Sequence, residues 1–182
     1  MSSITLDDID EKFRDEVVVQ DYSLKSTIEG VKIIDLKKFV GEDGHFSEII
    51  HFNQNAESEE FPKFKVAQIN RGKVLPSTVK AWHMHLRQDE IWYVYPEDHL
   101  FVGLLDLRKD SKTKENSMKI VMGGKSRLLF IPKGVAHGCA NFTQDSINLF
   151  YLVSEKFDIN NPDEQRLAWD ILGKDFWQPK KE

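Results

Sequence analysis

His83 and His85 are separated by one residue, Glu90 follows after four more, and a third histidine, His137, stands behind the turn Pro132-Lys133-Gly134 with Asn141 four positions later. On a β-strand, residues i and i+2 point to one face, so His83 and His85 project together, and a turn between strands brings Glu90 back beside them. A proline-glycine turn aims His137 from a later strand. Imidazoles with one carboxylate are ligands that borderline divalent ions accept, with positions left open for substrate. The same groups also line a polar cavity and hydrogen-bond to a substrate or to one another with no ion. Both readings are open at this point. His45, His51 and His99 carry no such spacing and are expected at the surface or in turns, and Cys139 is expected to be a small buried apolar filler.

The elements that must position these residues read as β-structure. From Gly30 onward, short runs of β-branched, leucine and aromatic residues are broken by turn signals such as Gly41-Glu42-Asp43-Gly44 and Gly123-Gly124. Strands are expected near 31–36, 46–52, 64–70, 79–85, 90–95, 99–107, 117–122, 127–131, 136–141 and 147–154. Many short strands predict a sandwich or barrel. Ahead of them, Ile9, Phe13 and Val17 recur at helical spacing over Leu6 to Val19, which predicts a short amphipathic helix. Behind them, Asp163 to Leu172 is expected to form a second helix, with Pro162 at its first turn and Gly173 at its end. Trp82 and Trp92 flank the histidine segment and are expected to face away from His83.

At 182 residues the chain suits one domain with its own core, divided here into an N-terminal helical extension over 1–27 and a β-domain over 28–182. The composition, 40% hydrophobic and 30% charged, is that of a globular protein, and no apolar run approaches the roughly 20 residues that span a bilayer. A net charge of −5 speaks against nucleic-acid binding, which needs a basic face. Met1 to Asp10 is polar and acidic, unlike a signal peptide, and the single cysteine makes no internal disulfide, so a cytoplasmic location is expected.

The two histidine segments, as they stand in this chain, resemble the paired motifs HxHxxxxE and PxGxxHxxxN of the cupin superfamily, which implies a jelly-roll β-barrel, all-β, with short helices at the two ends. Within the cupins the chain resembles the dTDP-4-dehydrorhamnose 3,5-epimerase family from about Ile28 to Trp177. The resemblance is carried by Gly30-Val31-Lys32-Ile33-Ile34, Gly44-His45-Phe46-Ser47-Glu48 and Gln68-Ile69-Asn70, then by Asp106-Leu107-Arg108-Lys109-Asp110-Ser111-Lys112-Thr113. Ile131 to Gly138, Tyr151, and Asp170 ahead of Trp177 complete it.

That resemblance implies epimerisation of a nucleotide-linked 4-keto-6-deoxy sugar by proton abstraction next to the ketone, without a cofactor. It implies His83 as the base, Asp170 as its orienting partner and Tyr151 as the acid on the opposite face of the sugar. Glu48, Gln68, Asn70, Lys80 and His137 would bind substrate, and the protein would be a homodimer. Three positions depart from the family pattern. Its arginine-glycine pair reads Asp43-Gly44, the arginine of its RGLH segment reads Lys80, and the lysine expected after the histidine strand is replaced by Glu90 or Ile91. Lost cations weaken the grip on a diphosphate and on an enolate oxygen. The alternative reading is a metal-dependent isomerase or oxygenase, with a divalent transition ion held by His83, His85, Glu90 and His137; a sugar-binding cupin without catalysis is the third.

Overall fold

The computed structural model describes residues 3–19 and 27–179. The expected extension over 1–27 therefore falls in part on residues outside that description. Among the described residues twelve strands form: β1 (Lys32–Asp35), β2 (Phe39–Gly41), β3 (Gly44–Phe46), β4 (Gln68–Val74), β5 (Thr78–Met84), β6 (Glu90–Tyr93), β7 (Leu100–Asp106), β8 (Ser117–Met122), β9 (Arg127–Ile131), β10 (Val135–Asn141), β11 (Ile147–Val153) and β12 (Gln165–Arg166). One five-stranded sheet runs β1-β9-β6-β11-β4, a second runs β12-β5-β10-β7-β8, and β2-β3 stand apart as a hairpin.

All-β architecture is as expected; the closed barrel is not. The two sheets share no strand ladder and stay open, with β1 and β4 at the edges of one and β12 and β8 at the edges of the other. The chain passes from the first sheet to the second between β4 and β5 over residues 75–77, where Pro76 has no N–H to give and Ser77 takes φ +55°. A ladder cannot run through that corner. The sheets instead pack face to face. Val74, Trp92, Leu129, Ile131, Ile147 and Leu149 of one meet Leu100, Val102, Leu104, Ile120, Met122 and Val135 of the other. Each outer face has its own apolar cover: Phe61 and Phe64 over Ile91, Tyr93, Leu128 and Leu152 on one side, Trp177 over Trp82 and Leu105 on the other.

Both expected helices shrink. The N-terminal one is reduced to a 3-10 turn at Leu6–Asp8 and α1 (Glu11–Arg14), with Phe13 and Val17 exposed. A short helix is unstable unless its apolar stripe is packed. The helix expected over Asp163–Leu172 is replaced by β12 and turns, followed by a 3-10 turn at Lys174–Trp177. Here the open edge of β5 offers better partners than the next helical turn would: Gln165 pairs with Met84, Arg166 with His83, and Leu167 exchanges backbone bonds with Trp82.

Candidate active site

His83 lies on β5 and His137 on β10, in register with one another, so both imidazoles leave the same face of one sheet. Their rings stack with centroids 6.2 Å apart. His85 follows β5 by one residue. Across the interior, Glu90 opens β6, and Tyr151 on β11 sits between Asn70 of β4 and Trp92 of β6. The alternation of each strand turns Asn70, Glu90, Trp92 and Tyr151 inward. Together with the returning segment over residues 155–164 they line a cavity of about 390 Å³.

At its floor is a buried polar cluster built on Glu90. Oε1 accepts from Gln88 Nε2 at 2.8 Å and lies 3.1 Å from His85 Nε2; Oε2 accepts from Trp92 Nε1 at 2.6 Å and lies 3.4 Å from His137 Nε2. Burial alone would raise the Glu90 carboxyl, but His85 and these donors outweigh it and hold it below the ordinary carboxylate range. Burial also works against charge on His85, and there too Glu90 and the Asp163 carbonyl win, so its pKa rises. Nδ1 donates to that carbonyl and Nε2 is turned on Glu90, so acceptors at both ends favour the charged form of the His85 ring. His137 gives Nδ1–H to the Val135 carbonyl at 3.1 Å, and burial lowers its pKa, so its Nε2 lone pair faces Glu90.

His83 differs. Its Nδ1 is 3.3 Å from Glu164 Oε1, and among the described residues Nε2 has no protein partner. Burial, then the charge of Arg166, push its pKa down to about 4, so the ring is neutral and able to accept a proton. Tyr151 is shifted the other way, upward, by burial and then by the charges of Glu90 and Glu164. Its hydroxyl therefore stays protonated and able to give a proton. The two face the cavity from opposite sheets.

The other expected site residues divide. Gln68, Asn70, Lys80 and His137 line the cavity, with Gln68 Nε2 donating to Asn70 Oδ1 at 2.6 Å. Glu48 lies outside it, exposed and paired with His51 Nδ1 at 3.0 Å. Asp170 is not part of the lining either; its main-chain carbonyl accepts from Gly173 at 2.7 Å in the turn after β12. Trp82 faces outward as expected, but Trp92, also expected to face away, lines the cavity. It stands two residues from Glu90 on the same strand, a signal of shared face that was present in the sequence. Cavity-lining residues missed from sequence include Gln88, Lys156, Phe157 and Glu164. Of the four histidine-motif residues, His85, Glu90 and His137 bring ligand atoms within 4.8 Å of one another; His83 is not of this set.

By type the three donors suit a divalent ion, and carbonyl acceptors on both Nδ1 atoms are the usual outer support for ligating imidazoles. Against that, Glu90 already has donors on both oxygens.

The family profile of dTDP-4-dehydrorhamnose 3,5-epimerase matches residues 25–173. The spore coat polysaccharide biosynthesis protein SpsL of Bacillus subtilis strain 168 is 37% identical over 144 residues, 79% of this chain and 91% of that protein. A probable low-salt glycan biosynthesis epimerase, Agl13 of Haloferax volcanii, is 27% identical over 79% of this chain and 89% of that one. In three dimensions the chain is similar to the dTDP-4-dehydrorhamnose 3,5-epimerase of Bacillus anthracis, solved with TDP and pyrophosphate bound: TM-score 0.72, 20% identity, 87% of this chain and 90% of that one. It is likewise similar to NovW of Streptomyces spheroides, a 4-keto-6-deoxy sugar epimerase, with TM-score 0.70 and 23% identity over 89% and 83% of the two chains. At these identities the two structures establish the fold, while the profile and the first relative establish descent. The chain belongs to the dTDP-4-dehydrorhamnose 3,5-epimerase family of enzymes.

Proposed function

We propose that the protein epimerises a dTDP-linked 4-keto-6-deoxyhexose, with His83 as the base that removes a proton next to the ketone and Tyr151 as the acid that returns one from the other side. The observation that carries this reading is the placement of a neutral His83 and a protonated Tyr151 on facing walls of one cavity. Removal on one face and return on the other inverts the carbon. A positioned base contributes about 10²–10⁴-fold to such a step. Gln68, Asn70, Lys80 and His137 hold the sugar and the inner phosphate; Lys80 and Lys156 are cations on the cavity wall for the diphosphate. The test is incubation with dTDP-4-keto-6-deoxyglucose in deuterium oxide. Deuterium enters at the carbons flanking the ketone, and a sugar that stays unlabelled after long incubation rules the reading out.

The β-domain over 28–182 functions as a homodimer. Support comes from the β2–β3 hairpin, where Phe39, Val40 and Phe46 are 59%, 79% and 64% exposed on a segment that stands apart from both sheets. Such a patch on a protein surface marks an interaction site. A monomer mass by light scattering at micromolar concentration would remove this part of the proposal.

A second reading, a divalent ion held by His85, Glu90 and His137, is favoured by one contact. The Nε2 lone pair of His137 faces a carboxylate oxygen at 3.4 Å, and a cation between them relieves that opposition. Such an ion would polarise a carbonyl as a Lewis acid. Elemental analysis of protein purified without added metal decides it: a stoichiometric ion supports this reading and an ion-free protein with full activity removes it.

A further inference from the structure

We infer that Glu164 is the residue that positions His83, holding the ring with Nδ1 turned to its own carboxylate and Nε2 presented to the cavity. The inference rests on the epimerase reading of this site and adds to it a residue that the family pattern of the sequence did not indicate.

Three features of the fold converge on Glu164. Its Oε1 lies 3.3 Å from His83 Nδ1, and both residues line the cavity. The backbone on either side of it is pinned. On one side the Asp163 carboxylate accepts from the amides of Leu86, Arg87 and Gln88 at 3.0, 2.8 and 3.0 Å. On the other, Gln165 and Arg166 are laddered to Met84 and His83. The side chain is held as well, because Arg166 reaches the same Oε1 at 2.5 Å. A carboxylate fixed at three points beside an otherwise unpartnered imidazole nitrogen is what a base needs to keep one tautomer. The carboxylate accepts and cannot donate, so the ring carries its proton on Nδ1 and leaves Nε2 as the acceptor.

In the reaction the C–H bond next to the ketone breaks, its electrons pass into the enolate, and its proton goes to Nε2. The ring becomes an imidazolium whose Nδ1–H faces the Glu164 carboxylate. Tyr151 then gives its proton to the opposite face of the carbon. The 3.3 Å separation is long for a charged hydrogen bond and is expected to shorten as charge develops on the ring. Asp170, the carboxylate expected from sequence, lies outside the cavity lining and makes no such contact among those described.

The test uses the whole chain with two readouts. Nitrogen-15 NMR of the six histidines, assigned through a His83→Asn variant, gives the tautomer of His83 in the substrate-free protein. Wild type is expected to show the Nδ1–H form and Glu164→Gln a shift toward Nε2–H. On dTDP-4-keto-6-deoxyglucose, Glu164→Gln is expected to lower kcat at least about tenfold with KM within about twofold of wild type, and Glu164→Asp to recover part of that loss. A dominant Nε2–H form in wild type, unchanged kcat in Glu164→Gln, or a loss confined to KM would each overturn the inference. So would a loss carried by Asp170→Asn in its place. The spectrum needs no substrate, so a wild-type protein that leaves the sugar unlabelled defeats the epimerase reading alone, and the tautomer still decides Glu164.

Discussion

His83 and His137 face each other directly across the β5–β10 ladder, and the strand that holds them in register is kinked one residue later, where the pairing shifts between His137 and Cys139. That irregularity sits at Gly138. A Cβ built there would stand 2.5 Å from the Cβ of Ala81 and 2.9 Å from the Lys80 carbonyl, so the two strands approach more closely than any other residue permits. The β5 backbone cannot move aside without carrying His83 with it. Gly138→Ala is therefore expected to cost about 1–3 kcal/mol of stability and to displace His83, lowering turnover. Urea denaturation and steady-state kinetics measure the two effects, and unchanged values in both would show that the strands yield freely.

Replacing the base separates folding from chemistry. His83 is half-buried at a cavity wall, where it stacks on His137 and makes one polar side-chain contact, with Glu164, so His83→Asn is expected to keep the melting temperature within a few degrees. Turnover should fall about 10²–10⁴-fold. Tyr151→Phe keeps the ring packing against the core and removes only the hydroxyl. It should lose inversion while retaining exchange of deuterium on the His83 face. Equal loss of exchange and inversion in Tyr151→Phe would place the hydroxyl elsewhere in the mechanism.

His85→Gln distinguishes the readings of the floor cluster. In a closed network of hydrogen bonds and charge, its ring pairs with the buried Glu90, and its removal should destabilise the protein by about 3–5 kcal/mol, the scale for stranding a buried charge. Metal content stays at background in wild type and variant alike. An ion present in wild type and lost in His85→Gln would assign the cluster to metal binding.

Outside the cavity lining, Asp106 is fully buried and accepts from Arg108 Nε at 2.8 Å, Arg108 Nη2 at 2.9 Å, Ser111 Oγ at 2.6 Å and Thr113 Oγ1 at 2.7 Å. Burial opposes its charge, but Arg108 and the two hydroxyls prevail and hold the carboxyl far below the ordinary aspartate range. A folded-state pKa below the unfolded one stabilises the fold above the unfolded value, about 3.9, and that stabilisation is lost as pH falls toward the folded one. The urea midpoint of wild type should drop steeply below about pH 4, with a shallower acid limb in Asp106→Asn, whose midpoint at pH 7 starts lower. Parallel acid limbs would deny Asp106 this role.

Cys139 on β10 is buried in the core between the sheets, and its thiol is pushed up to about 12 by that burial. Native protein at pH 8 should leave a disulfide reagent unreacted and titrate one thiol only in denaturant. Prompt reaction of the native protein would mean that the cavity floor opens.

The histidine motifs, the strand periods and the turn at Pro132–Gly134 were legible in the sequence because each is a local property of spacing. The expected strands over 117–122 and 127–131 coincide with β8 and β9, and the facing of His83 with His137 followed from two such segments alone. The family could be recognised for the same reason. Closure of the sheets was not local: it depended on a corner at Pro76–Ser77 and on which edges found partners. Nor was the fate of residues 163–172, whose helical pattern was overruled by the open edge of β5 and by three amides waiting for the Asp163 carboxylate. That choice also set the partner of His83. Glu164 is 81 positions away in the chain and carries no spacing signal, and it reaches the ring because the returning segment is laddered to the strand that bears it. Spacing along the chain determined which residues could do the chemistry; contacts between distant segments decided which carboxylate stands beside the base, since only the assembled backbone brings those charges within a few ångströms.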